Sequence, residues 1–142
     1  MDGLKNEAWS DRMRVFAPII LRLGLSLVFL WFGSEQIISA NMWTGLIPDW
    51  AISISGMSPN ALVHLNGAFE IILGAFLLIG YFTRVAALLL AFHLFSIIFI
   101  VGYTSIGVRD FGLSMAAISI FLYGIDSWSL DRFFIKKGYT IQ

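Results

Sequence analysis

Apolar runs of about 20 residues, each enough to cross a hydrocarbon core roughly 30 Å thick at 1.5 Å rise per residue, recur along this chain. They occupy residues 15–38, 61–79, 85–101 and 111–125. The last is the shortest and reaches a full crossing only by drawing Arg109 and Asp110 into the interface. Apolar residues make up 58% of the 142 positions, charged residues 13%, and the mean hydropathy is +0.84. A soluble domain carries about a quarter charged residues. Small domains also bury a smaller share of their surface than large ones, so a water-soluble fold of this length has nowhere to hide so much apolar area. The expected fold is therefore all-α: an integral membrane bundle of four antiparallel helices over residues 15–125, with tails at 1–14 and 126–142.

The connectors agree with that pattern. Residues 41–59 form a long loop with Trp43, Trp50 and two prolines, whereas 80–84 and 102–109 read as tight turns rich in Gly, Thr and Ser. The first run is too long for the apolar stretch of a signal peptide, and Ile38-Ser39-Ala40 is a poor cleavage motif, so it reads as a retained helix. Basic residues set the orientation. Lys5, Arg12, Arg14, Arg84, Arg132, Lys136 and Lys137 fall on one side and only Arg109 on the other, which predicts cytoplasmic termini. Trp128, Phe133, Phe134, Lys136 and Lys137 read as an anchor at the inner interface. The net charge is zero, which offers no attraction for nucleic acid, and the absence of cysteine excludes disulfides, thiolate metal sites and thiol redox exchange within the chain.

Ionisable groups inside spans cost about 2.5–3.5 kcal/mol each on insertion scales, so each needs a partner or a purpose. Arg22, Glu35, Glu70 and His93 lie within runs, and His64, Arg109 and Asp110 near the outer ends. Glu70 precedes the turn at Phe82 by 12 residues and His93 follows it by 11, so an antiparallel hairpin brings the two to one depth, near the membrane midplane. Gly67, Glu70 and Gly74 share one face of the second run, a small-residue stripe that permits close helix approach. The first run offers Arg22, Ser26, Phe29 and Gly33 on a face, and the fourth offers Asp110, Ser114, Ala117, Phe121 and Gly124. Arg22 is long enough to extend toward Glu70 or to snorkel to water. Glu35 lies off the Arg22 stripe by about 140° and is expected to cap the outer helix end, meet Arg109 across the outer mouth, or remain a solvated interfacial carboxylate. Asp110 suits the N-terminus of the fourth helix, where an anion is favoured, and Arg109 suits an interfacial anchor.

Two readings of the interior polar groups stand side by side. Glu70, His93 and Arg22 serve as structural glue between helices whose lipid-facing sides supply no drive to associate. Alternatively, an imidazole beside a carboxylate shielded from water forms a proton-handling or ligand-binding site at the midplane. A metal site fits less well, because His64 and His93 lie at different depths.

The run RLGLSLVFLWFGSEQI at 22–37 resembles the opening helix of the DoxX family of small four-helix membrane proteins. So do GAFEIILGAFLLIGYFTRVAALLLAFHL at 67–94 and VRDFGLSMAAISIFLYG at 108–124, in the family's order. The resemblance carries over Arg22, Glu35, Glu70, Arg84, His93, Arg109 and Asp110 as its polar positions. Gln36 departs from it, since the family often has lysine after the glutamate. The resemblance implies kinship with DoxD-type subunits of thiosulfate:quinone oxidoreductase and with membrane partners of redox or oxidative-stress enzymes. On that basis the expected function is a redox-associated, quinone-interacting subunit in the plasma or inner membrane of a prokaryote. It would associate with lipid and with other membrane subunits or further copies of itself, and carry no covalent cofactor. The alternative is a non-catalytic accessory or scaffold subunit; a small transporter, requiring oligomerisation, comes third. A complete enzyme is not expected, for the sequence shows no haem-ligating pair and no nucleotide loop.

Overall fold

A computed structural model describes the backbone of residues 2–137 and the side chains from residue 13 onward. Its helices are α1 (Asp2–Ile38), α2 (Asp49–Ser55), α3 (Pro59–Ile79), α4 (Thr83–Val101), α5 (Ser105–Tyr123) and α6 (Leu130–Lys136), with two short 3₁₀ turns, Ala40–Met42 and Thr44–Leu46, after α1. Four stretches are long and apolar enough to span a membrane: Met13–Ile38 of α1, and α3, α4 and α5. Large apolar side chains such as Ile20, Leu27, Trp31, Phe92 and Phe99 point outward from them. That surface demands lipid.

Local chemistry sets the helix ends. Ser58 accepts a hydrogen bond from the Ala61 amide and Pro59 occupies the first turn, so α3 begins where the sequence offers both an N-cap and a proline. It stops at Gly80, whose φ of 70° lets Gly80 N donate to Leu77 O and Tyr81 N to Phe76 O, a Schellman closure. The fourth span begins earlier than the sequence suggests. Thr104 caps it by accepting from Gly107 N, so the helix starts at Ser105 and ends at Tyr123, before the Gly124 and Ile125 expected within it. Asp110 consequently lies well inside α5 and is not an N-terminal anion. At the other end of the chain, α1 extends back to Asp2 and includes the residues expected as a tail.

The spanning helices form two tight pairs, α1 with α3 and α4 with α5, while α3 meets α4 and α1 meets α5 over smaller areas. The first pair depends on glycine. A Cβ on Gly67 would lie 2.7 Å from Gly33 O, and one on Gly33 would lie 2.7 Å from Gly67 O. Leu25, Phe29, Leu73, Leu77, Leu90, Leu94 and Ile120 fill the centre, with Ala86, Ala87, Ala91 and Ala117 between them. That core occupies the middle of the bundle and the end nearest the chain termini. The end nearest the 39–58 loop is hollow.

Candidate functional site

Two separate polar assemblies lie within the bundle, one at each end. At the terminus end, Arg22 is 1% exposed and donates through Nε to Asp126 Oδ2 at 2.5 Å. Its Nη1 also donates to the carbonyls of Leu77, which already accepts from Gly80 N, and of Leu78, in the last turn of α3 where carbonyls run short of helical donors. Arg22 therefore neither reaches Glu70 nor snorkels to water, because a buried carboxylate and two carbonyls of the last turn of α3 satisfy it at its own depth. Nearby, buried Asp131 accepts from the amides of Phe82 and Thr83 and from Thr83 Oγ1, each at 2.8 Å. It thus caps the start of α4 from a position 48 residues away in sequence. Arg84 is exposed, its guanidinium over Gly124. This end serves closure of the fold.

The loop end holds the chemistry. Glu70 is 4% exposed, and His93 Nε2 lies 3.2 Å from its Oε1. Asn66 Nδ2 donates to that same oxygen at 3.1 Å and Gln36 Nε2 to Oε2 at 3.1 Å. Asn66 Nδ2 also donates to Gln36 Oε1 at 2.6 Å, which knits α1 to α3. The His93 ring packs against Phe69 with centroids 5.0 Å apart. Across the bundle, Arg109 Nε donates to buried Asp110 at 2.7 Å while its guanidinium sits 4.3 Å from the centre of the Phe32 ring. Phe32 in turn meets Trp43 edge-on at 5.9 Å.

Between these groups lies a chamber of about 180 Å³. Val28, Phe29, Val63, Leu94, Ile97 and Leu113 supply apolar walls, and the Trp43 to Pro48 segment lies over it. Glu70, His93, Asn66 and Gln36 reach it from one side, Arg109 and Asp110 from the other. Five polar groups singled out in the sequence thus fall into two sets. Glu70, His93, Arg109 and Asp110 share the chamber, and Arg22 belongs to the closure at the opposite end. Glu35 is half-buried and has no side-chain partner among the described residues, so the meeting with Arg109 does not occur; Asp110 and Phe32 take Arg109 instead. His64 is exposed and outside the chamber. Among the described residues no group of three or more His, Asp or Glu side chains comes together as metal ligands.

Sequence reasoning missed Gln36, Asn66, Asp126 and Asp131. The first two carried a signal: the stripe Arg22, Ser26, Phe29, Gly33 continues by three residues to Gln36, and Asn66 is one helical turn from Glu70. Gln36, the departure noted in the sequence, therefore contacts Glu70, whereas Glu35 does not. No curated protein and no solved structure matches the chain significantly. The family model described as DoxX matches residues 17–103, a stretch that contains α1 from its apolar part onward, α3, α4 and the Glu70 and His93 pair. On that match, this four-helix membrane protein belongs to the DoxX family.

Proposed function

We propose that this chain is a redox-associated membrane subunit that binds a small lipophile with a carbonyl-bearing head, a quinone in the simplest case, and handles the proton that accompanies its reduction. The observation that carries this reading is the Glu70 and His93 pair, 3.2 Å apart, bordering a largely apolar chamber. An engineered apolar cavity of about 150 Å³ holds one benzene ring, so about 180 Å³ accommodates a single six-membered ring. His93 supplies a hydrogen bond or proton at one side, and the Arg109 guanidinium favours negative charge developing on an oxygen at the other. Reduction of a quinone to the quinol takes two electrons and two protons; in this reading the electrons come from a partner redox enzyme, the chain having no cysteine to carry them. Other membrane subunits or further copies of the chain are accordingly its proposed partners, and the distribution of basic residues supports cytoplasmic termini.

A second reading, the accessory or scaffold subunit, draws on the same network. Glu70 accepts from Asn66, Gln36 and His93, and no buried side-chain nitrogen or oxygen among the described residues lacks a partner, so the group is self-sufficient as glue. Glu70→Gln and His93→Gln separate the two. Amides still hydrogen-bond but do not titrate, so proton handling predicts that quinone-dependent turnover of the complex recovered in mild detergent falls by about 10²–10⁴-fold while folding and partner recovery persist. Full turnover with both amides in place would sink the proton role and leave the accessory subunit.

A further inference from the structure

The ligand chamber has unequal walls. On the α1 and α5 side it is shut by Arg109 over Phe32, a contact that joins the two helices directly. Above, the Trp43 to Pro48 segment is half-buried apart from Gly45, and Trp43 is held on Phe32. Below lie Phe29 and Leu94 of the core. The α3 and α4 side differs. Ser96 and Ile100 border the chamber and yet are exposed, Ile100 at 42%. Helices α3 and α4 are tied at their far end, where Asp131 caps the Phe82 and Thr83 amides and its own amide donates to Gly80 O. Toward the loop end their polar tie is the single bond between Glu70 and His93.

Ser96 lies five residues before the end of α4 at Val101, about 8 Å inside it at 1.5 Å per residue. An opening on the helix flank at that depth faces hydrocarbon and not water. We infer that the chamber fills from the bilayer, through the gap between α3 and α4 bordered by Ser96 and Ile100, so that its ligand is a lipophile dissolved in the leaflet on the loop side. This rests on the ligand-binding reading of the chamber. It also gives a tail somewhere to go: the chamber has room for one ring, and a hydrocarbon chain attached to it remains in the gap, in contact with lipid.

The absence of cysteine makes the test direct. Ser96→Cys and Gly45→Cys each place one thiol, the first at the gap and the second on the exposed loop above, where an added side chain meets nothing within 4 Å. Each variant folds before it is blocked, because the plug is added afterwards as a mixed disulfide with benzyl methanethiosulfonate in proteoliposomes and is removed with dithiothreitol, which is washed out before the probe is added. The probe is an aryl-azide derivative of decylubiquinone, with photolabelled peptides from the chamber followed over time. The plug at Ser96→Cys should slow chamber labelling by about tenfold, within the one to three decades over which on-rates vary among variants of one site, and dithiothreitol should restore it. The plug at Gly45→Cys should leave it unchanged. Slowing by the Gly45→Cys plug alone, or by neither, overturns access from the membrane. Failure of the unplugged protein to label in the chamber at all is a different result, which removes the ligand-binding reading and this inference with it.

Discussion

Arg22 and Asp131 show how a buried charge is made tolerable. Each stands where helix ends leave backbone groups unpaired, so one side chain answers several needs at once. Asp131→Ala removes acceptors for two amides and a hydroxyl; loss of a cap costs about 0.5–2 kcal/mol, and thermal unfolding in detergent should show a clear drop in midpoint, with Asp131→Asn falling between. Arg22→Met should cost more, about 3–5 kcal/mol, because it strands Asp126 in the interior. Adding Asp126→Leu to Arg22→Met should recover part of that loss; a double variant no better than the single one would show that the Leu77 and Leu78 carbonyls, and not the ion pair, are what Arg22 is there to serve. The hairpin arithmetic brought Glu70 and His93 into register because it needs only a turn position and a rise per residue. Nothing of that kind announced Asp126, which follows Gly124 in an irregular segment with no period to read.

Among the elements, the α1 and α3 pair is the closest contact and the one most exposed to a small change. Gly67→Ala should weaken the bundle by about 1–3 kcal/mol, since the new methyl meets backbone at Gly33 O and cannot turn aside. Gly24→Ala and Gly112→Ala serve as controls: a Cβ at either meets nothing within 4 Å, so their unfolding midpoints should be unchanged or slightly higher. Equal gains at all three glycines would mean that helix propensity, not interhelical distance, sets the response. The four spans were legible because a 20-residue apolar run has few other uses. The start of α5 was not. Ser105, Ile106 and Gly107 look like a turn in one dimension, but Gly107 serves a different purpose: a Cβ there would lie 2.1 Å from Gly102 O, so the glycine admits the incoming chain against a helix already under way.

For the molecule as a whole, orientation is set by charge outside the spans. Single cysteines at Ser10, Ser53 and Thr140, treated on intact cells with an impermeant thiol reagent, should label at Ser53 alone; labelling at Ser10 or Thr140 without Ser53 would invert the assignment. The chamber at the loop end would then open toward the outer leaflet, and the Arg22 and Asp126 closure would lie toward the cytoplasm. That closure also dictates an order of events during synthesis. Arg22 and Asp126 are 104 residues apart, and Asp131 is made after every span. At ribosomal speeds of about 5–20 residues per second, Arg22 is made roughly 5–20 seconds ahead of the carboxylate that neutralises it. During that interval the Arg22 guanidinium lacks its carboxylate, and α4, once made, lacks its cap. Newly made chains should therefore pass through an interval of heightened vulnerability to membrane quality-control proteases, one that closes only when the last few residues after the fourth span arrive.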